Sequence, residues 1–350
     1  MNQQRTPVPP RSNPRRRRGP TASQILAPIM AVFCVLLAVL AAVFYLQNLH
    51  LQNEMKEAED LHEVAVADLQ QLLDDTIEST IPIDEFKANA GIYNVSAEFI
   101  QRFFDDAVVY KDDAIVYAPI DPELEKNDYD WSFLSRENGR YSYRDQSITG
   151  KLGIDAAKFQ GEIDWAAVAS DGIEFAMLRL GYRGYGNGTL MTDPYFEQNA
   201  AGASANGIDV GVYFFSQAIT VEEAVEEAEY VLAAIEEYDV TMPVVFDMEI
   251  VTESNEARAN SLTPEERTAV TTAFCGRIAE AGYTPMIYGN PCWLLSKIDL
   301  KELEDYPVWL AQYYREPFFP YEFSMWQYTN TGTVSGIAGN VDLNLYFSER

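Results

Sequence analysis

Between residues 152 and 347, short apolar runs rich in β-branched residues alternate with longer stretches of helical periodicity. No other feature limits the fold as tightly. Strands are expected at 152–156, 174–180, 210–216, 243–249, 284–288, 307–313, 323–328 and 341–347. Helices are expected at 164–170, 195–205 and 221–238, and a fourth runs to residue 281. That helix carries its own start signal: Thr263 as N-cap, Pro264 at the first position, Glu265 and Glu266 in the first turn, with Gly282 to stop it. Strand–helix alternation implies a parallel sheet, and eight strands in about 200 residues suggest a closed barrel over an open doubly wound sheet. The open alternative finds no phosphate-binding loop. Gly181, Gly184, Gly186 and Gly188 lie close together, but no Gly-Lys-Ser/Thr ending or immediate helix follows, so the stretch reads as a long mobile loop.

The fourth strand, Pro243-Val244-Val245-Phe246-Asp247-Met248-Glu249, ends in two carboxylates. Alternation along a strand puts Asp247 and Glu249 on one face with Cα atoms about 6.5–7 Å apart, a spacing at which two carboxyls can flank a scissile bond. Taken alone, the stretch fits equally well a strand running into an acidic surface turn. The barrel changes the weighting, because chemistry there gathers at the C-terminal ends of the strands. Asp155 lies near the end of the first strand and Asp342 on the last, so four carboxylates from three strands would share one mouth. Tyr213, Tyr288, Tyr313, Trp326 and Tyr328 come from the same ends. Each tyrosine singly is more often core than ligand; together, aromatic faces beside acids suit sugar rings.

Composition removes the competing chemistries. The chain has two histidines, His50 and His62, both upstream of every globular segment, which excludes a Ser-His-Asp triad, a Cys-His pair or a His-ligated zinc in the body. No cofactor and no metal site is implied. Net charge is −29, yet residues 1–24 hold six arginines and no acid, so the body is more acidic still. Such a body repels a phosphate backbone, and nucleic acid is not an expected partner. Cys275 and Cys292 have no metal-site spacing and read as small core residues, with a bond between them left open by the sequence.

The N-terminal part divides into a basic cytoplasmic tail (1–24), a transmembrane helix (25–46), a helical stalk (47–80) and a small α+β accessory module (83–150), ahead of the barrel at 151–350. Residues 25–46 are 22 uncharged positions dominated by Leu, Val, Ala, Phe and Ile, the length of a bilayer-spanning helix. They exceed the apolar core of a signal peptide. The arginines before them favour the inside, leaving the body outside the cytoplasmic membrane. The stalk repeats apolar residues at three- and four-residue steps, which fits either a homodimeric coiled coil or one helix packed on the next segment. The accessory module shows no chemistry of its own; a spacer or packing collar is the preferred reading, a partner-binding module the lesser one.

Six ordered segments then carry a resemblance: Gly153-Ile154-Asp155-Ala156-Ala157-Lys158-Phe159-Gln160-Gly161, Gly211-Val212-Tyr213-Phe214-Phe215, Val245-Phe246-Asp247-Met248-Glu249, Pro285-Met286-Ile287-Tyr288-Gly289-Asn290, Trp309-Leu310-Ala311-Gln312-Tyr313, and Met325-Trp326-Gln327-Tyr328 followed by Gly339-Asn340-Val341-Asp342-Leu343-Asn344. Residues 152–347 resemble glycoside hydrolase family 25, the lysozymes often represented by the Chalaropsis-type muramidase. The resemblance implies an irregular, TIM-like (β/α) barrel of eight strands with about five helices. It also implies peptidoglycan glycan strands as substrate, Glu249 as general acid and Asp247 as its assistant. Asp247 would act as nucleophile, as electrostatic stabiliser or as orienter of a 2-acetamido group. Asp155 and Asp342 would be supporting acids; Tyr213, Tyr288, Gln312, Tyr313, Trp326 and Tyr328 are the candidate substrate-binding residues. Ala157 departs from the serine often found there, a change expected to cost a hydrogen bond rather than catalysis. A non-catalytic, membrane-anchored wall-binding scaffold is the alternative.

Overall fold

The computed structural model describes residues 83, 86–87, 95–252, 254 and 256–349. The span expected at 25–46 and the stalk at 47–80 lie outside the described residues. Among the described residues no helix is long and apolar enough to cross a membrane. The chain divides into two compact units, Met1–Asn89 and Ala90–Arg350. Everything from residue 95 onward belongs to the second.

That unit opens with a short helix, α1 (Ala97–Gln101), and two antiparallel hairpins: β1 (Ala107–Lys111) with β2 (Ile115–Pro119), and β3 (Leu134–Glu137) with β4 (Arg140–Tyr143). The barrel follows. Its elements are β5 (Ile148–Ala156), α2 (Trp165–Ser170), β6 (Phe175–Arg183), β7 (Leu190–Thr192), α3 (Phe196–Ala205), β8 (Asp209–Phe215), α4 (Val221–Ile235), β9 (Val240–Asp247), α5 (Pro264–Glu280), β10 (Pro285–Gly289), α6 (Pro291–Ser296), β11 (Val308–Ala311), β12 (Met325–Gly332) and β13 (Val341–Glu349). The sheet runs β5-β13-β12-β11-β10-β9-β8-β6 and closes through a β5–β6 pairing, giving eight strands around the barrel. All eight expected strands are present. Local signals set the helices as expected: Thr263 Oγ1 accepts from Glu266 N, and Glu266 Oε2 accepts from Thr263 N, a reciprocal cap at the start of α5.

The sheet is not wholly parallel. β13 runs antiparallel to both neighbours, β12 and β5. The cause is length. A parallel return needs a crossover of a dozen or more residues, whereas few residues separate β12 from β13, so the chain doubles back. The glycine-rich stretch also differs from expectation, because β6 continues to Arg183 and pairs with β7 as a hairpin. Arg183 anchors it, donating to Gly188 O at 2.8 Å and to the buried Glu227 at 2.7 Å.

Alternation sorts the strand residues into two layers. Val244, Phe246, Ile287, Leu310, Trp326 and Leu343 face outward into the main core, while Phe175, Met177, Val245, Met286, Trp309 and Met325 fill the barrel interior. Two glycines make room for that filling. A Cβ on Gly153 would stand 2.3 Å from the Phe175 ring, and one on Gly211 2.5 Å from Met177 Sδ. Beyond β10 the helices thin out, and the outer face of β12 and β13 is covered by the segment that precedes the barrel. Tyr129 packs on Phe323, Tyr141 on Trp326 and Tyr143 on Phe347, with ring centroids 5.2, 4.9 and 5.4 Å apart. Cys275 and Cys292 are free thiols.

Candidate active site

Strand β9 ends at Asp247, two residues earlier than expected. Met248 turns into the core, and Glu249 lies beyond the strand, exposed. Met248 joins Phe246 in the outer core, so alternation carries on past the last ladder residue and leaves Asp247 and Glu249 on the other face. Asp247 is buried, and it donates a hydrogen bond from its carboxyl to Glu249. Burial is the main reason its pKa stands well above the carboxylate range, with the charges of Glu249 and Asp155 adding to the rise and Arg179 opposing it. The Oδ1 atom of Asp247 is buried without a hydrogen-bond partner among the described residues.

The second acid pair comes from the antiparallel strand. Asp342 is directly opposite Asp155 in the β13–β5 ladder, so both side chains reach the same face. The reversal of β13 is thus what carries Asp342 to the mouth, at its strand's start rather than its end. Asp342 donates its proton to Asp155. Burial first, then the charge of Asp155, pushes the pKa of Asp342 up to about 8. Asp155 is raised by burial, against the pull of hydrogen bonds from Asn344, Gln327 and Asp342.

Two buried amides orient these acids. Gln327 Nε2 and Asn344 Nδ2 each donate to Asp155 Oδ2 at 2.8 Å. The other end of each amide is also occupied: Trp309 Nε1 donates to Asn344 Oδ1 at 2.8 Å, and the hydroxyls of Tyr288 and Tyr313 donate to Gln327 Oε1 at 3.0 and 2.8 Å. With all partners assigned, neither amide can flip without losing bonds. Arg179, midway along β6 and opposite Tyr213 in the ladder, donates from Nε and Nη2 to the buried Asp193 Oδ2 at 2.8 and 2.6 Å. Its charge still acts on Asp247 and on Tyr213. Burial holds the hydroxyls of Tyr213 and Tyr288 protonated.

The structure therefore brings together Asp155, Asp247, Glu249, Asp342, Tyr213, Tyr288 and Tyr313. It places Gln312, Trp326 and Tyr328 elsewhere. Trp326 and Tyr328 flank Gln327 in β12, and alternation turns both rings outward onto Tyr141 when Gln327 points in. Gln312 is spent on the backbone of Phe318, accepting from its N at 2.6 Å and donating to its O at 3.4 Å. The residues missed are Gln327, Asn344, Trp309 and Arg179. Each had a signal: a polar or charged side chain, or in Trp309 an indole N–H, inside an otherwise apolar strand. At Ala157 the turn after β5 is closed by Gln160, whose Oε1 accepts from Ala157 N at 2.9 Å. Among the described residues no group of three or more His, Cys, Asp and Glu is placed to hold a metal ion.

An eight-stranded barrel whose mouth gathers paired acids and tyrosines defines a glycoside hydrolase of the barrel class. The comparison with known sequences narrows this to one family. The chain belongs to glycosyl hydrolases family 25, whose sequence profile matches residues 154–337. It is 27% identical over 197 residues to the uncharacterized protein YegX of Escherichia coli K12, covering 55% of this chain and 68% of that one. To Lysozyme M1 of Streptomyces globisporus it is 27% identical over 207 residues, covering 57% of this chain and 68% of that one. The solved structure of the modular autolysin LytC from Streptococcus pneumoniae, in complex with a synthetic peptidoglycan ligand, shares the fold with a TM-score of 0.52 at 19% identity. That match covers 70% of this chain and 57% of the autolysin.

Proposed function

We propose that the barrel is a muramidase that cleaves the β-1,4 bond between N-acetylmuramic acid and N-acetylglucosamine in peptidoglycan. The observation that carries this reading is the Asp247–Glu249 pair, one acid buried and the other exposed at the mouth, joined by a hydrogen bond. Membership of family 25 and the likeness to Lysozyme M1 support it.

Glu249 is the acid that a glycan strand lying in the mouth would meet. Burial, with the charges of Glu249 and Asp155 beside it, keeps a proton on Asp247. As the glycosidic oxygen gains charge, Asp247 passes the proton across the hydrogen bond to Glu249, which delivers it to that oxygen. Asp247 is left as a carboxylate facing the developing oxocarbenium ion, with Arg179 near enough to moderate the charge. An acceptor left without a partner in Oδ1 supports one of the three roles open to Asp247, accepting the N–H of a substrate 2-acetamido group that reaches it and so orienting that group. Tyr313, 46% exposed, is the aromatic face available to the sugar.

Residues 25–46, with the arginines before them, would tether this body to the outer face of the cytoplasmic membrane beside the wall. Protease treatment of intact spheroplasts checks that placement: digestion of the body from outside is expected.

Mass spectrometry of the products from purified peptidoglycan tests the activity. New reducing ends on N-acetylmuramic acid are expected. Reducing N-acetylglucosamine ends would make it a glucosaminidase, and sedimentation with the wall without any cleavage would favour a binding scaffold.

A further inference from the structure

The loop between β11 and β12 carries Tyr313, whose hydroxyl reaches Gln327 and through it Asp155. Between Arg315 and Phe323 its backbone is held largely by side chains from residues 98–141, upstream of the segment that matches the family. Arg315 is gripped on both sides, its N donating to Glu98 Oε1 at 3.0 Å and its O accepting from the Tyr141 hydroxyl at 2.6 Å. Farther along, Asn127 Nδ2 donates to the carbonyls of Phe319 and Tyr321 at 2.7 and 3.0 Å, and the Tyr129 hydroxyl donates to Phe323 O at 2.7 Å. A bridge between Lys126 and Tyr321 ties the two strands of chain directly.

A spacer has no need of such contacts. Backbone groups of an irregular loop must find partners; here Gln312 serves Phe318, but most of the partners between Arg315 and Phe323 lie in the one upstream segment, so that segment shapes this part of the loop. We infer that residues 95–143 are a clamp that sets the β11–β12 loop, and with it Tyr313, at the mouth of the barrel. Glu98 and Tyr141 are positioning residues in it, acting on the glycan through Arg315 and Tyr313. The effect on glycan binding rests on the muramidase reading; the clamp itself does not.

The test uses the full chain with Glu98→Ala and Tyr141→Phe combined, which removes both grips on Arg315 and leaves the residue-141 ring packed on Trp326. Amide exchange read by mass spectrometry over residues 312–319 should accelerate about tenfold or more, with β8 and β9 unchanged. KM for solubilised glycan should rise about threefold to tenfold while kcat stays within about twofold. Glu98→Gln, which keeps an oxygen to accept from Arg315 N, should behave as the parent chain does. Unaltered exchange at 312–319 overturns the clamp, as does an acceleration shared equally by β8 and β9. A loosened loop with unchanged KM overturns the positioning role. A parent chain that cleaves no glycan sinks the muramidase reading, and the exchange measurement still decides the clamp.

Discussion

Asp342 and Asp155 stand directly opposite each other on antiparallel strands, and the first donates its proton to the second. Two carboxyls so close cannot both ionise cheaply in a buried site, so one proton stays between them. Gln327 and Asn344 complete the arrangement by donating to the oxygen of Asp155 that would otherwise carry unshielded charge.

A pH dependence follows from the raised pKa of Asp342. Its ordinary value is 3.8 and its value in the fold about 8. Below 3.8 the group is protonated folded or unfolded, and its contribution to stability is fully present; between 3.8 and about 8 the unfolded chain ionises first and that contribution is progressively lost. Asp342→Asn has no such loss. The melting temperature of this variant relative to the parent should therefore climb from pH 4 to about pH 8 and then level off. A constant difference across that range would refute the assignment.

Glu249→Gln and Asp247→Asn separate the exposed acid from the buried one. Removing the proton donor should lower kcat by about 10²–10⁴-fold with little change in stability, since the side chain is exposed. Asp247→Asn should also lose kcat but should melt higher at neutral pH, because there the unfolded chain gains by ionising Asp247 while burial and neighbouring charge hold it protonated in the fold, a loss of stability that the amide does not incur. Calorimetry beside a reducing-end assay gives both readings.

How far the sequence could be read depended on the range of the interactions. All eight strands and the first four barrel helices were legible, since periodicity and caps such as Thr263–Glu266 are local. Asp155, Asp247, Glu249 and Asp342 were legible as a set because strand ends gather at one mouth. The direction of β13 departs from the parallel pattern that strand–helix alternation implies, and the short span after β12 encodes it. Trp326 and Tyr328 were assigned to the glycan because aromatic residues suit sugars, yet alternation within β12 allows only one face inward, and Gln327 holds it. The contacts of Glu98, Asn127 and Tyr141 with residues 315–321 join positions 174 to 217 apart in the chain, which no local pattern reports.

The ion pair of Arg183 with Glu227 offers a test of stability away from the mouth. Both side chains are buried, and burial pushes Glu227 up to about 7 against the opposing pull of Ser216 and Arg183. Arg183→Met would leave that carboxyl without its cation and the Gly188 carbonyl without its donor. The expected loss is about 3–5 kcal/mol in a urea titration. Glu227→Gln retains a bond to Arg183 without the charge and should cost less. A loss smaller for Arg183→Met than for Glu227→Gln would show that the pair does not hold the β6–β7 hairpin.

Tyr313 and Trp326 make opposite predictions. Trp326 is wholly buried, donates its indole N–H to Gln312 O at 2.7 Å and packs on Tyr141, so it belongs to the layer outside the barrel. Tyr313 is half-exposed and bonded to Gln327 at the site. Trp326→Phe should therefore lower stability, by about 1–3 kcal/mol from the cavity and the lost hydrogen bond, and leave KM within about twofold in the folded fraction. Tyr313→Ala should do the reverse, raising KM about tenfold through the lost aromatic face while shifting the denaturation midpoint little. If Trp326→Phe raised KM as much as Tyr313→Ala, then the glycan would have to touch the far side of β12, which the packing of Tyr141 against Trp326 forbids unless the clamp opens during binding. Amide exchange over residues 134–143 with and without glycan would reveal such opening.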